Sequence, residues 1–264
     1  MHCATEMTFD ADLTACAAIV EKGDPERFAA AMASPVEARR VLFPLYAFNV
    51  EVSRAPWVTQ EPMIAEMRLQ WWRDALEEVA EGKPVRRHEV VTPLSKVLSP
   101  DGARRLDRVV AARRWDIYKD PFEDAAHFDA YLSDTAGGLM HVAAQSLSAQ
   151  EDFMSVEGIK TLGYAVGLSR FLQAIHELEA QKRIPLVDGR ADAIAALAFE
   201  ALRRCAARGR RGQLLPSVRP AVTEAFLATA ILKQAAKSPE RVAQGSLSVH
   251  PVKRSFLLWR WSRP

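Results

Sequence analysis

Apolar residues recur every three to four positions almost throughout the chain, and no stretch sustains the alternation of a half-buried strand, so the pattern predicts a nearly all-α protein. Asp24-Pro25-Glu26 reads as a helix entry with proline in the first turn, and the helix it opens runs to about Ala33. A second helix starts near Pro35 and carries Arg39, Arg40, Leu42, Leu45, Phe48 and Val52. Thr59 is placed to cap a third, with Ile64, Met67, Trp71, Ala75 and Val79 as its apolar stripe and Trp72 and Leu76 widening it. Glu66, Arg73, Glu77 and Glu81 take the opposite face, and Gly82-Lys83-Pro84 ends the helix. Val90 to Leu98 and Asp101 to Trp115 read as two more helices, split by a Ser-Pro-Asp-Gly turn signal.

Phe122 to Leu147 predicts one helix entered at Asp120-Pro121 and a second containing Thr135-Ala136-Gly137-Gly138. A long helix over Val156 to Ala180 turns Ile159, Leu162, Val166, Leu168, Phe171, Leu172 and Ile175 inward. Gly163 and Gly167 lie one turn apart on it, a spacing that admits a neighbouring backbone or a ligand, close helix packing being the simpler reading. Asp192 to Arg208 and Ala221 to Lys237 complete the helices, with a Gly209–Gly212 loop between them. The tail over 251–264 mixes Lys253, Arg254, Arg260 and Arg263 with Phe256, Trp259 and Trp261. Its aromatic residues either pack on the body, the preferred reading, or rest at a lipid interface.

With 264 residues and 49% hydrophobic content the chain can bury a substantial core, and one domain over 1–264, with its core at about 24–239, is the simplest division. Lys and Arg number 35 against 33 Asp and Glu, so no global field draws the chain to nucleic acid. Cys3, Cys16 and Cys205 show no metal-site spacing and fit a reducing compartment. Met1 to Met7 has neither a basic n-region nor an apolar h-region, and no apolar run approaches the roughly 18 to 20 residues of a spanning helix. The expectation is a cytoplasmic protein, associated with a membrane only at its surface.

Three segments carry a family likeness. Arg39-Arg40-Val41-Leu42-Phe43-Pro44-Leu45-Tyr46-Ala47-Phe48, Tyr131 followed by Ala136-Gly137, and Leu172-Gln173 followed by Lys182-Arg183-Ile184-Pro185-Leu186 together resemble the squalene/phytoene synthase family, in order over about Asp24 to Pro239. The resemblance implies an isoprenoid synthase fold, an all-α bundle around a central cavity, in which Tyr131 stands in the catalytic position. Family members join two prenyl diphosphates held through Mg²⁺ by two Asp-rich helical motifs. Asn49-Val50-Glu51 and Arg68-Leu69-Gln70-Trp71-Trp72-Arg73-Asp74-Ala75-Leu76 also resemble the branch of that family known as mitochondrial complex I assembly factors.

The expected aspartates are missing. Carboxylates at i and i+4 share a helix face, and a magnesium cluster needs several such hard oxygens held in place. The first region offers Glu51, flanked by neutral Asn49 and Ser53, and the second offers His176, Glu177 and Glu179, of which His176 and Glu179 share a face. Imidazole is a poor magnesium ligand. Asp74, Glu77 and Glu78 form an alternative acidic cluster, but they lie opposite the apolar stripe and read as a wet face. Basic residues remain: Arg39, Arg40, Arg54, Arg68, Lys182 and Arg183 border the family's diphosphate region and can hold phosphate without a metal.

The sequence therefore points to a family member without prenyl synthase activity and with no metal site or cofactor. Its candidate ligand is a prenyl diphosphate or lipid held by Arg39, Arg40, Asn49, Glu51, Arg54, His176, Glu179, Lys182 and Arg183. By resemblance it takes a protein partner and assists assembly of a membrane respiratory complex. The alternative is an active, Mg²⁺-dependent head-to-head prenyltransferase, and a third reading is an interaction module whose cavity has filled with side chains.

Overall fold

The computed structural model describes residues 11–148, 156–207 and 216–263, and among them there are helices and turns but no strand. The first half comprises α1 (Ala11–Gly23), α2 (Pro25–Met32), α3 (Val36–Arg54), α4 (Pro62–Ala80), α5 (Val91–Ser95), α6 (Pro100–Ala112) and α7 (Ala125–Leu132). A π-turn over Ser133–Gly137 leads into α8 (Gly138–Leu147). There follow α9 (Val156–Ala180), α10 (Ala191–Ala207), α11 (Arg219–Val222), α12 (Ala228–Lys237), α13 (Glu240–Ala243) and α14 (Pro251–Ser262). No helix among the described residues is long and apolar enough to cross a membrane. The predicted Gly209–Gly212 loop, Cys3 and the Met1–Met7 reading fall outside the described residues.

α3 is the most enclosed element, with Leu42, Phe43, Leu45, Tyr46, Ala47, Phe48 and Val52 all essentially without solvent contact. Its middle, buried on every side over 42–50, belongs inside a bundle, and α1, α2, α5 and α8 close around it. α9 serves the other half of the core, where Leu168, Phe171, Leu172 and Ile175 pack with Tyr131, Phe226 and Ile231. Its glycines set the spacing. A Cβ on Gly163 would stand 2.7 Å from the Gly137 Cα, and one on Gly167 would stand 2.9 Å from the Ala136 Cβ, so α9 lies directly against the π-turn.

Several expected boundaries move. α4 begins at Pro62 and not at a Thr59 cap, because the Thr59 hydroxyl instead accepts the Glu61 N–H at 3.1 Å in the preceding turn. Its buried stripe is Ala65, Leu69, Trp72, Ala75 and Leu76, whereas Ile64 and Met67 are exposed. The stripe is rotated because Trp72 makes the inward contact, edge-on to Phe48 at 5.4 Å, and Trp71 lies on the flank under the Arg86 guanidinium. α7 starts at Ala125, with the Asp124 carboxylate accepting the His127 N–H at 2.8 Å, rather than at Asp120-Pro121. The single helix expected over Val90–Leu98 is shorter, and that over Ala221–Lys237 is broken by a 3₁₀ turn at Thr223–Leu227 that carries the buried Glu224. α14 divides its aromatic residues: Leu257, Leu258 and Trp261 pack on the body, while Phe256 and Trp259 stack on each other at 5.7 Å in the open.

Candidate functional site

A cavity of about 420 Å³ lies between α3, α9 and the π-turn, within the size range of small-molecule sites. Asn49, Ser53 and Trp57 look into it at intervals of four residues from α3 and the turn after it. Arg170, Ala174 and Leu178 do so at the same interval from α9, joined by Glu177 and Gln181. Phe171, Trp115, Leu132, Val50 and Ala136 make the apolar part of the wall. The remaining polar wall is Asp24, Arg27, Arg54, Arg113, Asp116, Tyr131 and Thr135.

Each deep acid is already engaged by arginine. The Asp24 carboxylate caps α2 by accepting the Arg27 N–H at 3.0 Å, and it also takes Arg27 Nη1 at 2.9 Å and Arg170 Nη1 at 2.5 Å. Arg27 in turn donates Nε to Glu224 at 2.5 Å, and both side chains are buried. Burial alone would push the Asp24 carboxyl up, but Arg170 and Arg27 outweigh it and hold the group well below the ordinary carboxylate range. Tyr46 sits against this network, its hydroxyl raised well above its usual value by burial and by Glu224. A second cluster joins Tyr131, whose hydroxyl donates to Asp116 at 2.9 Å and accepts from Arg113 at 2.9 Å, while Arg113 pairs with Asp116 at 3.1 Å. Burial first, then Asp116, raises the Tyr131 hydroxyl, so it stays protonated at any physiological pH.

The wall also holds polar atoms left over by this pairing. Ser53 Oγ, Arg113 Nε, Trp115 Nε1 and Arg170 Nη2 are buried without a hydrogen-bond partner. Such atoms are uncommon in a folded protein, and here all four can donate. The arrangement suits a ligand that is apolar along most of its length and rich in acceptor oxygens at one end.

Of the residues expected at a site, Asn49, Arg54 and Tyr131 line the cavity. Glu51 does not: two positions from both Asn49 and Ser53, it leaves their row and reaches the site only through its ion pair with Arg54 at 3.5 Å. His176 and Glu179 share a face, but it is the outer one; His176 Nδ1 meets the Ala243 carbonyl at 2.7 Å under the turn at Gly245, and Glu179 is exposed. Glu177, between them in sequence, is the one that reaches the cavity. Arg39 closes the end of α2 by donating to the Ser34 and Met32 carbonyls at 2.9 and 2.8 Å. Arg40 lies elsewhere on α3, Arg68 is exposed on α4, and Lys182 is an exposed residue in the left-handed region at φ 64° that ends α9. Arg183 acts as a strut, donating to the Asp116 and Tyr118 carbonyls at 2.5 and 2.7 Å between the rings of Trp57 and Trp115. Of the acidic cluster on α4, Asp74 accepts from Gln70 and Glu78 binds Arg86, both away from this cavity. Asp24, Arg27, Ser53, Arg113, Asp116 and Arg170 were not singled out from the sequence. A spacing of four through Asn49 and Ser53 is the one signal that could have found the correct face of α3.

The model of the squalene/phytoene synthase family matches residues 20–188, well over half of the chain. The chain belongs to the squalene/phytoene synthase family. Its likeness to the crystal structure of a dehydrosqualene synthase in complex with ligand has a TM-score of 0.75 at 18% identity, covering 95% of each chain. Its likeness to a squalene synthase from Alicyclobacillus acidocaldarius has a TM-score of 0.68 at 16% identity, over 90% of this chain and 95% of that one. These establish the isoprenoid synthase fold. Similar sequences include the NADH dehydrogenase (ubiquinone) complex I, assembly factor 6 homolog of Drosophila melanogaster, 30% identical over 178 residues. They also include complex I assembly factor 6 of Mus musculus, 24% identical over 174 residues. Each match covers 65% of this chain, and the chain spans about half the length of these relatives, 53% and 52% respectively.

A magnesium cluster of the kind the family implies does not fit these residues. The rows that face each other across the cavity read Asn49, Ser53, Trp57 and Arg170, Ala174, Leu178, with no carboxylate pair on either. Asp24 and Asp116 have their oxygens committed to arginine and tyrosine, and no group of three or more His, Cys, Asp or Glu among the described residues is arranged to hold a metal.

Proposed function

We propose that this family member is non-catalytic, that its cavity holds an isoprenoid or other lipid-like ligand with an anionic end, and that it assists assembly of a respiratory NADH dehydrogenase complex. The reading rests on one observation: the two cavity-facing helix rows carry arginine and small or apolar residues where magnesium chemistry needs paired carboxylates. Ionising an allylic diphosphate requires stabilising the departing diphosphate, and such charge stabilisation supplies several kcal/mol in enzymes that do it. Here the charges that would contact a diphosphate are fixed guanidinium groups. They can bind the anion, but each is already paired with a carboxylate, so less of their charge can answer the negative charge that would develop on a departing diphosphate than a magnesium cluster would supply. The assembly role draws on the relatives named as complex I assembly factors, and a protein partner and a station at a membrane surface follow from it.

Two measurements test the proposal. The purified chain is incubated with radiolabelled geranylgeranyl diphosphate and Mg²⁺, and no product is expected in the organic phase; turnover at enzyme-like rates would end the non-catalytic reading. Isothermal titration with the same diphosphate in the absence of Mg²⁺ is expected to give saturable heat that Arg170→Ala and Arg54→Ala each weaken. In cells, deletion is expected to deplete assembled complex I on native gels, with Arg170→Ala only partly restoring it.

A further inference from the structure

The π-turn that walls the central cavity has a second side. Leu132, Thr135 and Ala136 face the central cavity, whereas Ser133, Asp134, Gly137 and Gly138 face a separate cleft of about 610 Å³ between α6, α8, α9 and α10. We propose that this rear cleft is a binding site for a phosphoryl group, carried either by a small soluble molecule or by a lipid headgroup.

The cleft gathers cations from three helices: Arg105 and Arg108 from α6, Lys160 from α9, and Arg203 and Arg204 from α10. Its own acids are Asp134 and Glu200. Glu200 is shared by Arg203 and Arg204 at 2.7 and 2.9 Å, and Arg105 turns to Asp101 at 2.7 Å. Arg108 and Lys160 remain, both exposed, and neither makes an ion pair among the described residues. A run of charges along one helix is ordinarily a wet face. Cations converging from separate elements into a concave, partly apolar space are different, because low-dielectric walls focus their field onto whatever anion enters.

The neighbouring groups register that field. His141, buried in the wall, is pushed down to about 4 by burial and then by Arg105 and Lys160. Burial pushes the Asp134 carboxyl up, opposed only by Arg108. The imidazole is therefore neutral at physiological pH and adds no positive charge of its own to the cleft. Gly137 and Gly138 bring backbone to the lining of the cleft, and Ser133 adds a hydroxyl. Guanidinium and ammonium groups that converge this way match the charge and geometry of a phosphoryl oxygen set.

The test uses the full chain and two probes, inorganic pyrophosphate and vesicles of phosphatidic acid in phosphatidylcholine. If the group arrives on a soluble molecule, pyrophosphate binds saturably with a Kd below about 1 mM, and Arg108→Ala with Lys160→Ala weakens it by about tenfold or more. If it arrives on a lipid, the same double variant loses cosedimentation with the vesicles. In the first case Arg54→Ala, in the central cavity, leaves the binding in place, and the His141 titration followed by NMR moves up by about one pH unit when the probe saturates, since a bound anion favours the imidazolium. The proposal is overturned if neither probe binds. It is equally overturned if binding survives the double variant, or is lost with Arg54→Ala instead. The proposed central-cavity function is decided by geranylgeranyl diphosphate and Arg170→Ala, and Arg54→Ala is expected to weaken that ligand while sparing pyrophosphate, so failure of either leaves the other standing.

Discussion

Neutralising Glu224 should damage the fold more than any surface substitution. The carboxylate is wholly buried, takes Arg27 Nε at 2.5 Å, and shares that guanidinium with Asp24, which is itself shared with Arg170. The core of the network is balanced, two arginines against Asp24 and Glu224. Glu224→Gln keeps the shape and leaves one positive charge in excess in a site closed to water. Breaking a buried pair from one side costs about 3–5 kcal/mol. For a protein of this size each kcal/mol lowers Tm by about 2–4 °C, so a loss of about 10 °C is expected by circular dichroism and calorimetry. The double variant Arg27→Met with Glu224→Leu removes both charges, leaves Asp24 with Arg170, and should lose less than Glu224→Gln alone. A Tm for Glu224→Gln within about 2 °C of the parent, or a double variant as poor as the sum of its parts, would refute the reasoning.

Acid should unfold the protein through the same network. The folded Asp24 carboxyl lies below its ordinary 3.8, so its contribution is whole above that value and is lost as pH falls beneath it; Tm should drop steeply below pH 4, and Asp24→Asn should flatten that limb. Gly163→Ala should cost about 1–3 kcal/mol in urea titrations despite the better helix propensity of alanine, since the new methyl meets the Gly137 Cα, whereas Gly189→Ala meets nothing within 4 Å and should be neutral. Tyr131→Phe removes a hydroxyl that bridges Arg113 and Asp116, which stay paired, so a loss of about 1–2 kcal/mol is expected with diphosphate heat retained. Ser53→Asp with Trp57→Asp rebuilds a spacing of four carboxylate positions on the α3 side, yet Mn²⁺ titrated by electron paramagnetic resonance should bind tightly only after Arg170→Ala is added, because the guanidinium otherwise takes the new carboxylates.

The helices were readable from periodicity because their apolar stripes are long, as in α3 and α9. Errors came where two apolar rows compete on one helix: α4 offers Ile64, Met67 and Trp71 beside Ala65, Leu69 and Trp72, and periodicity alone fits both, so the expected stripe shared Trp72, Ala75 and Leu76 with the buried one but missed Ala65 and Leu69. The same difficulty shaped the site. Glu51 and His176 drew attention as the residues chemically nearest to the missing ligands, whereas the cavity is fixed by the Asn49–Ser53 and Arg170–Ala174 rows. Asp24 was recognised at a helix entry, but its partners Arg170 and, through Arg27, Glu224 come from distant segments that meet only in the folded chain. Asp116 and Arg113 sit on a 3₁₀ turn after α6, which no motif marks.

A buried ionic network is a poor device for stability, since apolar side chains of equal volume usually serve as well or better. This one occupies the wall of a cavity, with Arg170 Nη2, Arg113 Nε and Trp115 Nε1 left without acceptors among the described residues. An apolar replacement would stabilise the wall and close the cavity to any charged guest. The network instead leaves unpartnered N–H donors on the wall of a partly apolar chamber, and its acids hold the guanidinium groups in place rather than holding metal. Such a chamber suits the ligand proposed above, apolar over most of its length with acceptor oxygens at one end.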